Sequence, residues 1–206
     1  LWRPRDIVSG DFYWMTAKED KVVLVAADCT GHGVPGAFMS MLGVSFLNEI
    51  VIKNNVLEAH LILNDLRASV KRTLSQTGKE GEAKDGMDIA LTVIDFKANK
   101  MQFAGAYNPC YMFRNGEFNE IKADRMPIGI YIKEKESFTL NEVDLLPGDV
   151  FYIFSDGYVS QFGQKDGEKF KSSRLKELLT QIHPLPMSEQ REILDKIGRA
   201  SCRERV

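Results

Sequence analysis

The sequence predicts an α+β sandwich, because strand-like and helix-like patterns are grouped along the chain and do not alternate. Apolar runs joined by short turns occur in the first 30 residues and again between residues 89 and 155. Helical periodicity occurs in two other regions, residues 35–76 and 173–197. Strands joined by tight turns pair antiparallel, so this order argues against a doubly wound βαβ fold.

The first elements are a hairpin followed by two helices. Residues 11–15 and 22–27 flank a charged turn and are predicted as antiparallel strands. Pro35 suits the first turn of a helix, which we extend to about residue 54. Its apolar residues fall on nearly all sides, so we expect it to be deeply buried. A second helix with three- and four-residue apolar spacing covers about residues 57–76.

The middle of the chain is predicted to consist of short antiparallel strands. A polar, glycine-bearing loop at residues 78–86 precedes them, and turn signals separate the apolar runs. Helical character returns in two final segments. The predicted strands are residues 89–96, 101–106, 110–114, 118–122, 137–143 and 150–155, and the predicted final helices are residues 173–181 and 188–197.

Composition describes one domain of a globular protein. The 27 basic and 29 acidic residues give a formal net charge of −2, and no dense basic patch suggests nucleic-acid binding. No apolar run approaches the roughly 20 residues of a membrane helix, so no direct membrane insertion is expected. Widely spaced cysteines and the lack of a signal-peptide pattern favour a cytoplasmic location.

We expect one domain over residues 1–197, truncated at both ends, because no repeat or linker interrupts the pattern. Residues 198–206 are charged and do not continue it, so we interpret them as a non-native tail. The abrupt start at Leu1 suggests a longer protein, which a missing N-terminal region could tether to a membrane.

Three aspartates share a setting that favours a metal site. Asp28 and Asp156 each end a strongly apolar strand, and Asp11 stands beside Gly10 at the start of the first strand. A lone aspartate in such a place is often a turn former or a helix cap. Three in similar settings favour a hard divalent cation, which prefers carboxylate and carbonyl oxygens.

The loop from Gly31 to Gly36 matches the pattern G-x-G-x-x-G, so nucleotide binding is an alternative. Its context argues against a dinucleotide site, since Asp28 would repel a pyrophosphate and the candidate acid, Glu49, lies within a helix. His32 is either a general acid or a loop histidine bound to backbone, and the sequence does not separate the two. Cys29 is better explained as a small buried residue than as a nucleophile.

Six blocks of sequence, in this order, resemble one known family. They are SGDFYW, VVLVAADCTGHGVPGAFMSMLG, DGMDIALTVID, FAGAYNPCY, MPIGI and LPGDVFYIFSDGYVSQFG. They resemble the PPM (type 2C) metal-dependent serine/threonine phosphatases, in the bacterial branch of stage II sporulation protein E. The resemblance implies an αββα sandwich, in which helices flank two antiparallel sheets and two Mn²⁺ or Mg²⁺ ions bind at one edge.

The resemblance also implies roles for individual residues. Asp28 would bridge both ions, Asp11 would bind one, Asp156 would bind the other, and Cys29 would contribute its backbone carbonyl. A metal-bridged water would then hydrolyse the phosphoester without a phosphoenzyme. The broader family places its acid histidine two residues after the bridging aspartate, whereas His32 follows Asp28 by four, which puts that role in question.

The implied substrate is phosphoserine or phosphothreonine on a regulatory protein of the anti-sigma-factor-antagonist type, with an upstream sensor domain and a possible homodimer. The family ends in a strand preceded by an aspartate pair, and this chain shows no such strand. We therefore expect the second ion to bind weakly. Two alternatives stay open: a catalytically silent signalling module of the same fold, and a nucleotide-binding enzyme that uses the loop from Gly31 to Gly36.

Overall fold

The computed structural model describes residues 8–79, 81–82, 84–161 and 169–202. Within these residues, two antiparallel sheets lie face to face and helices cover both outer faces, so the predicted fold class is confirmed. The elements are, in chain order, β1 (Phe12–Lys18), β2 (Lys21–Cys29), α1 (Gly33–Leu47), a π-helical segment (Asn48–Lys53), α2 (Ala59–Thr73), β3 (Met87–Asp95), β4 (Lys100–Ala106), β5 (Cys110–Arg114), β6 (Glu117–Ile121), β7 (Asn141–Asp144), β8 (Val150–Ile153), a 3-10 turn (Asp156–Tyr158), α3 (Lys171–Ile182) and α4 (Met187–Cys202).

The strands divide between a five-stranded and a three-stranded sheet. The first sheet has the order β1-β2-β3-β4-β7 and the second has the order β6-β5-β8. All pairings are antiparallel, and the turns between β1 and β2 and between β5 and β6 are hairpins. Because β8 is an edge strand of the second sheet, whatever follows it in the chain starts at the rim of the sandwich.

Alternation along the strands builds three apolar layers. In β2, Val23, Val25 and Ala27 pack against α1 and α2, whereas Leu24 faces the second sheet. Phe103 of β4 is fully buried between the two sheets. In β5 the alternate residues pack on α3 and α4. Along these strands, therefore, every second side chain packs between the two sheets, and the side chains between them pack against the helices.

The long helical segment after β2 is only partly buried, so the prediction of deep burial is wrong. Val34, Phe38 and Met41 are 62%, 63% and 68% exposed, while Met39 and Leu47 pack into the core. The physical reason is that the sheet covers this helix from one side, and the three exposed residues lie on the opposite face at helical spacing.

The same segment also corrects the expectation about apolar length. The stretch Gly33–Lys53 has 21 residues and, alone among the described helices, is long and apolar enough to cross a membrane by length and composition. The core helix of a globular protein can pass the same test, and this one packs on the first sheet.

The two largest shifts of predicted boundaries are at the seventh strand and at the last helix. The strand expected at residues 137–143 is Asn141–Asp144, because Phe138 and Thr139 donate their backbone N–H groups to side chains of Asn64 and Asp124 instead of to a strand. Helix α4 continues to Cys202, five residues beyond its predicted end, and residues 203–206 lie outside the described residues. The origin of residues 198–206 stays a prediction.

Candidate metal centre

The strand register places three aspartates in a row across the first sheet. Asp28 of β2 is the direct partner of Asp88 of β3. Phe12 pairs with Ala27, so Asp11, one residue earlier, lies beside Asp28. Direct partners in antiparallel strands have side chains on the same face. Asp28 is four residues after Leu24 on β2, so both side chains lie on the same face of the sheet. Because Leu24 faces the second sheet, the row of aspartates faces it too.

The fourth carboxylate comes from the second sheet. Asp156 begins the 3-10 turn that follows β8, and the carboxyl groups of Asp11 and Asp156 both hydrogen-bond with that of Asp28. Neighbouring hydroxyls fix the outer two: Ser155 Oγ donates to Asp11 Oδ2 at 2.9 Å, and Ser160 Oγ donates to Asp156 Oδ2 at 3.0 Å. The structure thus places the carboxyl groups of Asp11 and Asp156 beside that of Asp28, while their role as metal ligands stays a prediction.

Burial and like charges dominate the electrostatics of Asp28 and Asp88 in this cluster. Burial, first, and then the neighbouring Asp11 and Asp156 raise the pKa of Asp28 to about 8. Burial and the charge of Asp156 raise the pKa of Asp88 to about 6. Partly buried carboxylates this close together are stable only when protonated or paired with a cation. Their hard oxygen atoms suit Mg²⁺ or Mn²⁺.

The cluster is not a pre-formed cage. No group of three or more His, Cys, Asp or Glu side chains in the described part of the chain has the spacing of a metal site. The contacts that exist are pairwise, from Asp28 to Asp11 and from Asp28 to Asp156. A cation bound here would replace these direct contacts between carboxyl groups.

The glycines around Asp28 allow close contact between backbone segments. A Cβ at Gly36 would lie 2.6 Å from the Gly31 carbonyl oxygen, and a Cβ at Gly10 would lie 2.8 Å from the same oxygen. The loop, the start of β1 and the first turn of α1 are therefore packed against one another. This packing accounts for Gly10 and Gly36 without a bound nucleotide, and no contact favours the nucleotide hypothesis.

Cys29 and His32 occupy different environments. The Cys29 side chain is 4% exposed on the helix side of the sheet, and burial raises the pKa of its thiol to about 12, so it is not a nucleophile. Its carbonyl oxygen would lie 3.1 Å from a Cβ on Gly10, next to Asp11 in the chain. His32 is exposed just before α1, and its side chain does not cap the helix. Its role as a general acid stays a prediction.

Asp88 is the residue of this site that sequence reasoning missed. It interrupts the otherwise apolar run of β3, where seven of the nine residues are buried. A single acid near the beginning of a buried strand is a usable signal, because it must face either solvent or a polar site. Its pairing with Asp28 depends on the strand register, which the sequence alone did not provide.

The raised pKa of Asp28 predicts how the stability of the metal-free protein depends on pH. A carboxyl whose pKa rises from 3.8 to about 8 on folding favours the folded state when it is protonated. That contribution is complete below pH 3.8 and is lost as pH rises through about 8. In EDTA, the melting temperature should therefore fall more steeply between pH 5 and 9 for the native protein than for Asp28→Asn.

Asp20→Asn is the matched control for this measurement, because Asp20 is exposed in the turn at the far end of the same hairpin. It should retain the native slope. Equal slopes for the native protein and Asp28→Asn would contradict the electrostatic account.

A family model described as Stage II sporulation protein E (SpoIIE) matches residues 18–204. Among solved structures, the SiaA-PP2C domain of Pseudomonas aeruginosa is 30% identical, with a TM-score of 0.85, and the match covers 99% of this chain and 79% of that one. No curated protein matches significantly.

Two more distant structures support the fold alone. The RsbU and RsbW domains of a Mycobacterium tuberculosis protein match at 20% identity and a TM-score of 0.71, over 95% of this chain and 52% of theirs. The PP2C phosphatase domain of SpoIIE from Bacillus subtilis, with a fragment of its regulatory domain, matches at 22% identity and a TM-score of 0.70, over 97% and 55%.

Proposed function

Because the chain belongs to the stage II sporulation protein E family and is a phosphatase domain of the PP2C type, we propose that it hydrolyses phosphoserine or phosphothreonine on a regulatory protein. The observation that carries this proposal is the convergence of Asp11 and Asp156 on Asp28. These carboxylates come from two different sheets, and their charge calls for a divalent ion.

The hard carboxylate oxygens of this cluster suit Mn²⁺ or Mg²⁺, and we propose that the assembled site holds two such ions. Asp28 would hold both, with Asp11 and the Cys29 carbonyl on one side and Asp156 on the other. When bound, such ions lower the pKa of water and stabilise the charge that develops on the phosphoryl group. Asp88 lies directly beside Asp28 and adds a carboxylate that the sequence analysis did not assign.

The reaction is a direct hydrolysis. The oxygen of water forms a new bond to phosphorus, and the bond from phosphorus to the serine or threonine oxygen breaks. That oxygen leaves with a proton, for which the exposed His32 is the candidate donor. The attacking water gives up one proton to the solvent, and Asp28, in the centre of the row, would hold the ions that lower the pKa of this water.

A catalytically silent signalling module of the same fold is the second candidate. Among the described residues, no three carboxylates are spaced to hold one metal ion, and this favours the second candidate. A domain that does not bind the metal ions could still bind a partner protein, but it would not hydrolyse a phosphoester. In either case the proposed partner is a phosphorylated regulatory protein. A cytoplasmic location, an upstream sensor domain and a homodimer are further proposals.

Metal-dependent turnover separates the two candidates. We expect the protein to hydrolyse p-nitrophenyl phosphate and a phosphoserine peptide with millimolar Mn²⁺ or Mg²⁺, and to lose turnover in EDTA. The same ions should raise the melting temperature, because a ligand at about 100 times its Kd stabilises the folded state by about 2.7 kcal/mol.

Each outcome of this experiment has a distinct meaning. A thermal shift without turnover would favour the signalling module. Neither a shift nor turnover would contradict the metal centre itself. Calcium and magnesium at equal concentration are compared in the same assay, so that a general effect of ionic strength is recognised.

A further inference from the structure

A small exposed surface next to the aspartate row is not used by the proposed chemistry. It consists of Tyr107, Arg125 and Tyr131, and we call it the tyrosine–arginine rim. Tyr107 is 41% exposed, Arg125 is exposed and Tyr131 is half-buried. The two tyrosine rings meet edge to face, with their centroids 6.5 Å apart.

The strand register puts Tyr107 beside the site. Ile89 pairs with Ala106, the last residue of β4, so the next residue on each strand brings Tyr107 next to Asp88. Tyr107 therefore lies just beyond the end of β4, next to the row that Asp11, Asp28 and Asp88 form. Its φ of 59° is rare for an aromatic residue and turns the chain out of the sheet at this point.

A second segment brings Arg125 to the same place. Two isolated bridges, Ala106 with Asp124 and Met87 with Ile128, hold this segment against the ends of β3 and β4. The backbone N–H of Tyr107 donates to the Asp124 carbonyl at 2.9 Å. Arg125 follows directly, so its position is tied to the strand ends that carry Tyr107 and Asp88.

The support beneath the rim is rigid. The buried carboxylate of Asp124 accepts hydrogen bonds from the backbone N–H and the hydroxyl of Thr139, at 2.6 and 2.9 Å, and pairs with Lys135. Tyr131 packs against the core beneath the first sheet. A rim built on such contacts is pre-organised, which reduces the entropy lost when a ligand binds.

The chemistry of the rim suits an anionic peptide. The hydroxyl of Tyr107 hydrogen-bonds with Tyr131, and a phenolic hydroxyl can also donate to an anion. Arg125 directly follows Asp124, whose carbonyl accepts the backbone N–H of Tyr107, so the two residues lie near each other. A guanidinium forms charge-assisted hydrogen bonds with phosphoryl oxygens in paired geometry.

A count of the charges at the site explains why a cation in the rim would help to bind the substrate. Two divalent ions carry four positive charges and the four carboxylates carry four negative charges, so these groups by themselves leave no excess positive charge for a phosphoryl dianion. An exposed arginine near the end of the row supplies positive charge at this place.

We propose that Arg125 pairs with the phosphoryl oxygens of the substrate while Tyr107 and Tyr131 contact the peptide that flanks the phosphorylated residue. This inference rests on the proposed function, since it assigns the substrate contacts of the same site. It also predicts that a small phosphoester uses Arg125 alone, whereas a phosphopeptide uses the whole rim.

The test compares two substrates and one binding reaction. Arg125→Gln should raise KM about 10- to 100-fold for both p-nitrophenyl phosphate and a phosphoserine peptide, with a smaller change in kcat. Tyr131→Ala should raise KM only for the peptide. Calorimetry with a non-hydrolysable phosphonate analogue of the peptide, at saturating Mg²⁺, should show the same loss of affinity for both variants.

The matched controls lie at the opposite end of β3. Lys97→Gln removes an exposed cation and Phe96→Ala removes an exposed aromatic ring, and both should behave as the native protein. A rise in KM for the peptide alone in Arg125→Gln would show that the arginine reads a neighbouring acidic residue and would overturn its assignment to the phosphoryl group. Unchanged analogue binding in both rim variants would overturn the inference as a whole.

The calorimetric measurement of analogue binding tests this inference independently of the proposed phosphatase activity. If the native protein binds the analogue but does not turn over substrate, the phosphatase proposal fails and the rim can still be judged. If turnover is normal and the rim variants match the native protein, the rim fails and the phosphatase proposal stands.

Discussion

Asp28→Asn should lower kcat/KM for a phosphoserine peptide by about a thousandfold or more, while the protein remains folded. Asp28 is the centre of the row and hydrogen-bonds with both Asp11 and Asp156, so no neighbour can replace it. An amide of the same shape keeps the packing but offers only one oxygen and no negative charge to a cation.

The same substitution should raise the melting temperature of the metal-free protein at pH 8 and abolish most of the shift caused by Mn²⁺. Loss of function with a gain in stability is the pattern of a site whose charges repel each other. The loss of activity is measured by turnover of the phosphoserine peptide, and the gain in stability by thermal melting of the same preparation. Asp20→Asn serves as the control, and an active Asp28→Asn would contradict the proposed centre.

Phe103→Ala should have the largest effect on stability, with a loss of about 3–5 kcal/mol in the free energy of unfolding. Phe103 is completely buried between the sheets, where it packs among residues from both. Truncation removes the contacts of a whole ring and leaves a cavity that the flanking strands cannot close. The melting temperature should fall by roughly 10 °C for a chain of this size.

Urea unfolding measures this loss, and Phe96→Ala provides the comparison, since Phe96 is 61% exposed at the end of β3. We expect that control to lie within about 0.5 kcal/mol of the native protein. A loss below about 1 kcal/mol in Phe103→Ala would contradict a tightly packed interface between the sheets.

The Phe103 interface also matters for the site. Asp28 is on the first sheet and Asp156 follows the second, so the distance between them depends on how the two sheets pack. Phe103→Ala should therefore weaken the thermal shift caused by Mn²⁺ even in conditions where the protein is fully folded.

Periodicity and turn chemistry were sufficient to predict most of the fold. Alternation in β2 and the two-residue turn at Glu19 and Asp20 specify a hairpin from local sequence alone. Helix α2 was also predictable, because its buried residues recur at helical spacing on one face. Local patterns of this kind need no knowledge of distant contacts.

The failures of prediction concern contacts between distant segments. The sequence of α1 is apolar on all sides, and only the position of the sheet decides that Phe38 and Met41 face outward. Asp88 and Tyr107 join the site through the register of the strands. Asp88 is more than 50 positions from Asp28 in the chain, so local sequence does not reveal that the two are paired. Asp11, Asp28 and Asp156 can be selected from the sequence alone, because each stands in a recognisable motif.

The hairpin of β1 and β2 has a consequence for which changes in length the chain can accept. Lys18 pairs with Lys21, and every pair from there to Phe12 and Ala27 follows in unbroken register. One inserted residue in the turn would shift β1 by one position and rotate its side chains to the other face. Asp11 would then leave the row, although the turn lies at the opposite end of the strands and makes no contact with the site. A surface turn that looks free to vary in sequence is therefore fixed in length, and insertions or deletions there should be as damaging as the loss of a ligand.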